Sequence, residues 1–423
     1  MSDLHELCYF KTRPITKEEY LVPLKAYLKA GIPATYTTEE AHNYEHGIEE
    51  EPESNTTPMH LICENVPGDA DEEEENVVLE MMEQLWLNGA GWCLLNNKNE
   101  TPGCVLLRRG FHGTKYWESC VDSGVRAEVL LRKLNDPNVE FLDDPLSENA
   151  SDEEDVPELV EEVQAPAKKV GEDHTIAENA SESVQDMYNG PAGATDTYLN
   201  TKLEYKDDAL VTKEGADGVM MQWEDELMKA GSESLFKHIE DPNDVNILNI
   251  GFGMGIIDTM IQAKNPTRHY ISEAHPDVLK KMKEDGWYDK PGVVILEGKW
   301  QDTLPDLLTK GVFFDGIYYD TFSEHYEDMV NDLFDVVVGL LKPTGTFSFF
   351  NGLGADRLVC YEVYKKVVDL DLSNYGLSVE FQTMKAPVTT LKENDDSEDS
   401  VWKDIKRAYW RCPLYYHPEA KFM

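Results

Sequence analysis

The strongest constraint on the fold is a buried strand that runs directly into a glycine-rich turn. The run Asn246-Ile-Leu-Asn-Ile250 is followed without a break by Gly251-Phe-Gly-Met-Gly255 and then by an amphipathic helical pattern over 256–262. Glycines at alternate positions permit a tight strand-to-helix turn and let a ligand approach the backbone closely. The sequence therefore predicts an α/β domain that binds a ligand at this turn.

A second strand places an acidic residue where a nucleoside would bind. This strand is His269-Tyr-Ile-Ser272, and Glu273 follows it. A carboxylate in that position can accept hydrogen bonds from ribose hydroxyls. The turn lacks the GxGxxG spacing of NAD-binding proteins and the GK[ST] of phosphate-binding loops. A nucleoside cofactor without a pyrophosphate fits this pattern, and we expect S-adenosylmethionine. The alternatives are a dinucleotide-dependent enzyme and a Rossmann fold that has lost its activity.

Two further strands extend the predicted sheet. The strand over 292–296 leads to Trp300 and Gln301, which we expect to flank an adenine ring. The strand over 311–319 ends at Asp320. Ligands of open α/β sheets bind at the carboxyl ends of the strands, so Asp320 is expected to project into the site.

The charge of the chain is strongly negative and unevenly distributed. Lys and Arg number 38 against 82 Asp and Glu, a formal net charge of −44. Direct nucleic-acid binding needs clustered cations, so a basic protein is the better electrostatic match. The segment 143–186 is dense in acids and almost without aromatics, which predicts a flexible linker. It separates an N-terminal domain (1–142) from the α/β domain (187–423).

Helical periodicity dominates the N-terminal domain. Thr57-Pro-Met-His-Leu61 resembles the TPLH signature that opens an ankyrin repeat, and Thr101-Pro-Gly-Cys-Val105 is a weaker copy. Their spacing exceeds the ankyrin period of about 33 residues, but an acidic insert over 68–76 accounts for most of the excess. We expect a small α-helical, ankyrin-repeat-like domain that docks a protein partner. The alternatives are an unrelated helical domain and one that only packs against the second domain.

Neither a metal site nor a disulfide framework is indicated. The seven cysteines form no CxxC pair, and His275 and His325 are single histidines without a partner at metal-ligand spacing. No apolar leader and no run approaching about eighteen uncharged apolar residues is present. We expect a soluble protein of the cytoplasm and nucleus that makes no membrane contact.

Three motifs carry a specific resemblance. Val219-Met-Met-Gln-Trp-Glu224, Asn249-Ile-Gly-Phe-Gly-Met-Gly255 and Gly316-Ile-Tyr-Tyr-Asp-Thr321, in this order, resemble guanidinoacetate methyltransferase over roughly 187–411. With the helical domain and acidic linker in front, nearly the whole chain is similar to the fungal arginine N-delta methyltransferases, the type IV protein arginine methyltransferases. The resemblance implies a seven-stranded Rossmann-like methyltransferase fold that uses S-adenosylmethionine. It also implies monomethylation of the δ nitrogen of a protein arginine, with a ribosomal protein as substrate.

The resemblance also implies site residues by matching position. Glu224 and Asp320 correspond to the catalytic pair that binds the guanidino group, whereas Gln301 stands where guanidinoacetate methyltransferase has Glu. The implied cofactor contacts are Tyr188, Met220, Gly251, Gly253, Met254, Gly255, Ile256, Ile257, Asp258, Thr259, Glu273, Ala274, His275, Trp300, Gln301 and Asp320.

The chemistry of a guanidinium explains why two carboxylates are needed. This group stays protonated at neutral pH, and its nitrogen lone pairs are delocalised. Two carboxylates can accept its hydrogen bonds in one plane, orient one nitrogen, and take the released proton. Trp223, Tyr318 and Tyr319 are candidate aromatic walls, although neighbouring residues of a strand point to opposite faces. The residues alone do not identify the methylated nitrogen. They leave open a small-molecule guanidino methyltransferase and a non-catalytic ankyrin scaffold with a cofactor-binding domain.

Overall fold

The structure is a computed structural model of the chain. The residues that it describes are 3–49, 52, 56–135, 193–214, 216–386, 401–402, 405–406 and 409–423. The predicted linker, 143–186, and the predicted cofactor contact Tyr188 both lie outside these ranges. No helix within the described ranges is long and apolar enough to cross a membrane.

The N-terminal part is helical. Its helices are α1 (Asp3–Leu7), α2 (Val22–Lys29), α3 (Thr38–His46), α4 (Pro58–Asn65), α5 (Glu72–Leu87), α6 (Pro102–Arg108) and α7 (Lys115–Asn135), with a π-helical turn at Lys17–Leu21 before α2. Thr57 precedes α4 and Thr101 precedes α6, each with extended backbone as a helix N-cap requires. Helix α4 packs against α5 and α6, and α6 packs against α7. Two consecutive helix pairs therefore follow the two TP motifs, and their assignment as ankyrin-like repeats stays a prediction.

The C-terminal part is an α/β domain. Its helices are α8 (Thr195–Asn200), α9 (Asp225–Ser234), α10 (Ile256–Ala263), α11 (Pro276–Glu284), α12 (Trp300–Thr309), α13 (Tyr326–Asp328), α14 (Phe334–Leu340) and α15 (Leu358–Asn374). Its strands are β1 (Leu203–Tyr205), β2 (Ala209–Thr212), β3 (Gly218–Met221), β4 (Asn246–Ile250), β5 (Arg268–Glu273), β6 (Val293–Glu297), β7 (Phe314–Tyr319), β8 (Leu341–Phe349), β9 (Leu377–Lys385) and β10 (Leu414–Phe422). Short helical turns lie at Gln222–Glu224, Trp287–Asp289 and Met329–Leu333.

Seven of these strands form the main sheet, as the resemblance implies. The strand order is β6-β5-β4-β7-β8-β10-β9, while β1, β2 and β3 form a separate antiparallel sheet. Strands β4 to β8 pair in parallel, and β10 runs antiparallel to both of its neighbours. All residues of β4 and β7 are buried, as expected for central strands covered on both faces. The carboxyl ends of β4, β5 and β7 therefore meet at one edge of the sheet.

The two parts of the chain share a hydrophobic core. Helix α7 packs along α15, and one continuous cluster of buried side chains includes Leu24 and Trp117 together with Val359 and Tyr361. The indole Nε1 of Trp117 also donates a hydrogen bond of 2.7 Å to Glu362 Oε2. The N-terminal part therefore packs against the α/β domain through apolar surface that would otherwise be exposed.

Replacing Gly124 with Ala tests this packing, because the packing decides whether the change raises or lowers the free energy of unfolding. Alanine in place of a helical glycine normally stabilises a protein by about 1 kcal/mol. Here a Cβ would lie 2.5 Å from Val363 Cγ2, and valine side chains have little rotamer freedom. We expect Gly124→Ala to lower the free energy of urea unfolding by about 1–3 kcal/mol.

Val363→Ala provides the matched second change, because it removes the methyl group that the new Cβ meets. Gly124→Ala should destabilise the Val363→Ala protein less than the wild type, a positive coupling in a double-mutant cycle. Stabilisation by Gly124→Ala in the wild type would show that α7 and α15 are not packed in this way.

Candidate active site

The turn after β4 needs glycine at each alternate position. Gly251, Gly253 and Gly255 have φ angles of +95°, +55° and +71°, in the left-handed region that favours glycine. A Cβ on Gly251 would lie 1.9 Å from the main-chain oxygen of Asp320. The turn therefore brings the backbone after β4 against the end of β7, and Gly255 begins helix α10.

Glu273 lies at the end of β5, as predicted, and its carboxylate oxygens accept hydrogen bonds from two different backbone segments. Its Oε2 accepts a hydrogen bond of 2.9 Å from Phe252 N, and its Oε1 accepts one of 2.7 Å from His275 N. Burial raises the pKa of Glu273, while these backbone hydrogen bonds oppose the shift. The backbone hydrogen bonds hold the carboxylate in the cleft wall, where it can also accept a hydrogen bond from a ligand hydroxyl.

A cleft opens at the carboxyl ends of β4, β5 and β7, beneath helix α8. The glycine turn, the end of β3 and the start of α12 complete its walls. The predicted residues that the structure brings to this cleft are Met220, Gly251, Gly253, Glu273, Ala274, Trp300, Gln301 and Asp320. Eight of the sixteen predicted cofactor contacts therefore line one cavity.

The other predicted cofactor contacts among the described residues do not line the cleft and instead support its walls. They are Met254, Gly255, Ile256, Ile257, Asp258, Thr259 and His275. Ile257 packs into the core beneath the turn because α10 is amphipathic. The ring Nε2 of His275 lies 3.2 Å from Tyr198 O and 3.0 Å from Thr201 O, which holds the segment containing α8 over the cleft.

Among the implied cofactor contacts that do not line the cleft, Asp258 is the clearest case, because it is fully buried behind the glycine turn. Its Oδ2 accepts a hydrogen bond of 2.9 Å from Asn249 Nδ2, and its Oδ1 lies 3.0 Å from His269 Nε2. The same Asn249 amide donates to Gly251 O at 2.7 Å. Asp258 therefore supports the turn through Asn249 and does not face the cleft.

Of the predicted catalytic pair, Asp320 lines this cleft, and Glu224 lies in the short helical turn that follows β3. Glu224 is only 3% exposed, and its Oε1 accepts hydrogen bonds from Met221 N, at 3.2 Å, and from the Tyr409 hydroxyl. Burial, and then the charge of Asp320, raises the pKa of Glu224 well above its usual range.

Asp320 follows β7 as predicted, and its main-chain N donates a hydrogen bond of 2.9 Å to Ile250 O. Its side-chain Oδ2 is buried and has no hydrogen-bond partner among the described residues. Burial, with a smaller contribution from the charge of Asp258, raises the pKa of Asp320 to about 7. An unpartnered buried carboxylate oxygen is costly, which points to a cationic or hydrogen-bond-donating ligand at this position.

Glu324 is a site residue that the sequence reasoning missed. Its carboxylate accepts hydrogen bonds from Trp300 Nε1 at 2.9 Å, Gln301 Nε2 at 3.0 Å and the Tyr319 hydroxyl at 2.5 Å. Trp300 and Gln301 thus share one acceptor, and Trp300 is almost completely buried. The only sequence signal was the position of Glu324 shortly after the end of β7. Gln301 Oε1 remains buried without a partner among the described residues.

Tyr318 and Tyr319 are adjacent in β7, so their side chains lie on opposite faces of the sheet. Tyr319 contributes its hydroxyl to Glu324, while Tyr318 lies on the opposite face, fully buried against Gly231 of α9. Trp223 packs against Tyr409, with ring centroids 6.0 Å apart, and so lies beside Glu224. No cluster of three potential metal ligands occurs within the described ranges.

Comparisons with known proteins identify the family of the chain. A family model described as guanidinoacetate N-methyltransferase matches residues 194–368. The chain is 55% identical to the protein arginine N-methyltransferase 2 of Debaryomyces hansenii, with 100% of both chains covered. The proteins of the same name from Candida glabrata and Saccharomyces cerevisiae are 49% and 48% identical to it, again over 100% of both chains. The chain therefore belongs to the protein arginine N-methyltransferase 2 family, and its α/β domain is a methyltransferase domain.

Proposed function

We propose that this chain transfers one methyl group from S-adenosylmethionine to the δ nitrogen of an arginine in a basic protein. The observation that carries the proposal is the carboxylate of Asp320 in the cleft, whose buried Oδ2 lacks a partner among the described residues, together with the buried carboxylate of Glu224, whose pKa is raised by burial and by the charge of Asp320. The names of the relatives support a protein arginine as the acceptor. The choice of the δ nitrogen rests on the resemblance to the type IV enzymes.

The cleft offers polar groups that suit S-adenosylmethionine. Glu273 can accept hydrogen bonds from ribose hydroxyls, and the unpartnered Gln301 Oε1 can accept one from the amino group of adenine. Met220 and the glycine turn supply close apolar and backbone contacts. When bound there, S-adenosylmethionine would supply an electrophilic methyl group.

The two carboxylates can activate and orient the acceptor. In their ionised forms, Glu224 and Asp320 accept hydrogen bonds from the guanidinium and fix its plane. They also draw positive charge away from the nitrogen that attacks. The N–H proton of that nitrogen can pass to Asp320, whose pKa of about 7 suits both acceptance and later release near neutral pH.

The surface of the N-terminal domain supports a basic protein as the partner. A groove beside α5 and α7 is lined by more acidic than basic side chains, among them Glu73, Glu80, Glu83, Glu118 and Asp122. Lys17 and Arg126 pair with Glu80 and Glu83, and Lys366 pairs with Glu118 and Asp122. The strong net negative charge of the chain acts in the same direction. We propose that this ankyrin-like domain docks the substrate, that the substrate is a ribosomal protein, and that the enzyme acts in the cytoplasm and nucleus.

A small guanidino compound is the second candidate acceptor, because the matching family model is that of guanidinoacetate N-methyltransferase. Removal of the first 185 residues would not separate the two candidates cleanly. It would expose the apolar surface of α15, including Val359, that Trp117 and its neighbours cover. The comparison therefore has to use the full chain.

The test is to incubate the full chain with labelled S-adenosylmethionine and extract from cells that lack this enzyme, followed by fragmentation of labelled products in a mass spectrometer. We expect label on the δ nitrogen of a protein arginine, and none with the Asp320→Asn protein. Label on a terminal guanidinium nitrogen would overturn the N-delta assignment. Label only on a small guanidino compound would favour the second candidate. Cofactor binding without any labelled product would favour a non-catalytic scaffold.

A further inference from the structure

The residues near the C-terminus cover one side of Glu224. Tyr409 donates its hydroxyl hydrogen bond to Glu224 Oε1, the same oxygen that accepts from Met221 N. Among the described residues, none donates to Oε2. The protein thus uses one oxygen of this carboxylate and leaves the other available to a substrate.

The Tyr409 ring is fixed by its surroundings. It packs edge-on against Trp402 with ring centroids 4.9 Å apart, and it contacts Trp223 at 6.0 Å. A Cβ on Gly218 would lie 3.3 Å from Tyr409 Cε1, so the ring also lies close against the backbone of β3. These contacts determine where the hydroxyl points, and they come from residues distant in sequence from the motifs of the cleft.

We propose that Tyr409 is a positioning residue for methyl transfer, which holds Glu224 Oε1 so that Oε2 faces the guanidinium. This inference rests on the function proposed above. The bond from Tyr409 also stabilises the ionised form of Glu224, the form that a guanidinium needs as an acceptor.

The surroundings of Glu224 otherwise favour its protonated form, so the hydrogen bond from Tyr409 is needed to keep it ionised. Its burial and the nearby charge of Asp320 both favour the protonated form, and Tyr318 and Tyr415 are the other titratable groups that feel its charge. Only the hydroxyl of Tyr409 and the N–H of Met221 oppose them. Loss of the hydroxyl would leave one backbone donor to keep Glu224 ionised.

Tyr409→Phe removes the hydroxyl and keeps the ring packing. We expect kcat/KM for arginine methylation to fall about 10- to 100-fold, as for loss of a hydrogen bond to a charged group, with cofactor affinity unchanged. Because Glu224 loses a bond that favours ionisation, the acid limb of the kcat/KM profile should move to higher pH. A purely structural role would lower activity without moving this limb.

Tyr416→Phe is the matched control, because the Tyr416 hydroxyl also donates to a carboxylate, Glu362 Oε1 at 3.0 Å, away from the cleft. It should leave the pH profile unchanged. An unshifted acid limb in Tyr409→Phe would overturn the proposal. An increase in kcat/KM would also overturn it, by showing that the hydroxyl competes with the guanidinium for Glu224.

A second measurement separates failure of this inference from failure of the proposed function. The infrared carbonyl band of protonated Glu224, assigned by difference from Glu224→Gln, can be titrated without any substrate. We expect the band to persist to higher pH in Tyr409→Phe than in the wild type. This shift in a protein that methylates no arginine would refute the proposed function alone. Identical titrations in an active enzyme would refute the role of Tyr409 alone.

Discussion

Glu224→Gln is expected to lower kcat/KM for arginine methylation by about 10²- to 10⁴-fold and to leave the affinity for S-adenosylmethionine unchanged. The amide keeps the size of the side chain but exchanges an acceptor oxygen for an NH₂ donor, which opposes the N–H groups of a guanidinium. Glu224 does not line the cleft in which the cofactor would bind, so cofactor affinity is an internal control. Calorimetric titration and steady-state kinetics on the same preparations provide both measurements.

Asp320→Asn should produce a loss of similar size, and the double variant should be little worse than either single variant. Residues that act together on one group give strongly non-additive effects. Glu419→Gln is a suitable control, because Glu419 is also largely buried and paired, with Lys237 Nζ 3.0 Å away, but lies in β10. Fully additive losses, or a comparable loss in Glu419→Gln, would contradict a shared guanidinium site.

The parts of this site that follow from local sequence could be predicted. The strand, glycine turn and helix from Asn246 onward are adjacent in the chain, so their pattern determines both the fold and the position of the turn. Glu273 and Asp320 are likewise identified as residues at strand ends. The pairing of Asp320 with Glu224 needed the resemblance to a known family, because no local pattern relates the two.

The parts that depend on distant packing could not be predicted. Tyr409 meets Glu224 across a sequence separation of 185 residues, and nothing near Tyr409 forms a motif. The packing of α7 along α15 likewise joins helices that are far apart in the chain, and no local pattern in either one relates them. For the same reason Asp258, which follows the glycine turn in sequence, was assigned to the cofactor, although its side chain points into the core beneath it.

Gly251→Ala should affect cofactor binding, catalysis and stability together. The residue has a φ of +95°, and a Cβ would lie 1.9 Å from the main-chain oxygen of Asp320. Backbone atoms cannot rotate away as a flexible side chain can, so the end of β7 must move and carry the Asp320 carboxylate with it. We expect a loss of about 2–5 kcal/mol in the free energy of unfolding, from left-handed strain and overpacking combined.

Gly311→Ala separates these two causes. Gly311 also has a left-handed φ, +65°, but a Cβ there would meet no atom within 4 Å. That variant should lose only about 1–2 kcal/mol and keep full activity. If Gly251→Ala loses no more stability than Gly311→Ala and still binds S-adenosylmethionine, the turn after β4 does not contact the end of β7 as described. A much larger loss in Gly251→Ala, accompanied by loss of methyl transfer, would show that the same close contact positions both the cofactor cleft and Asp320.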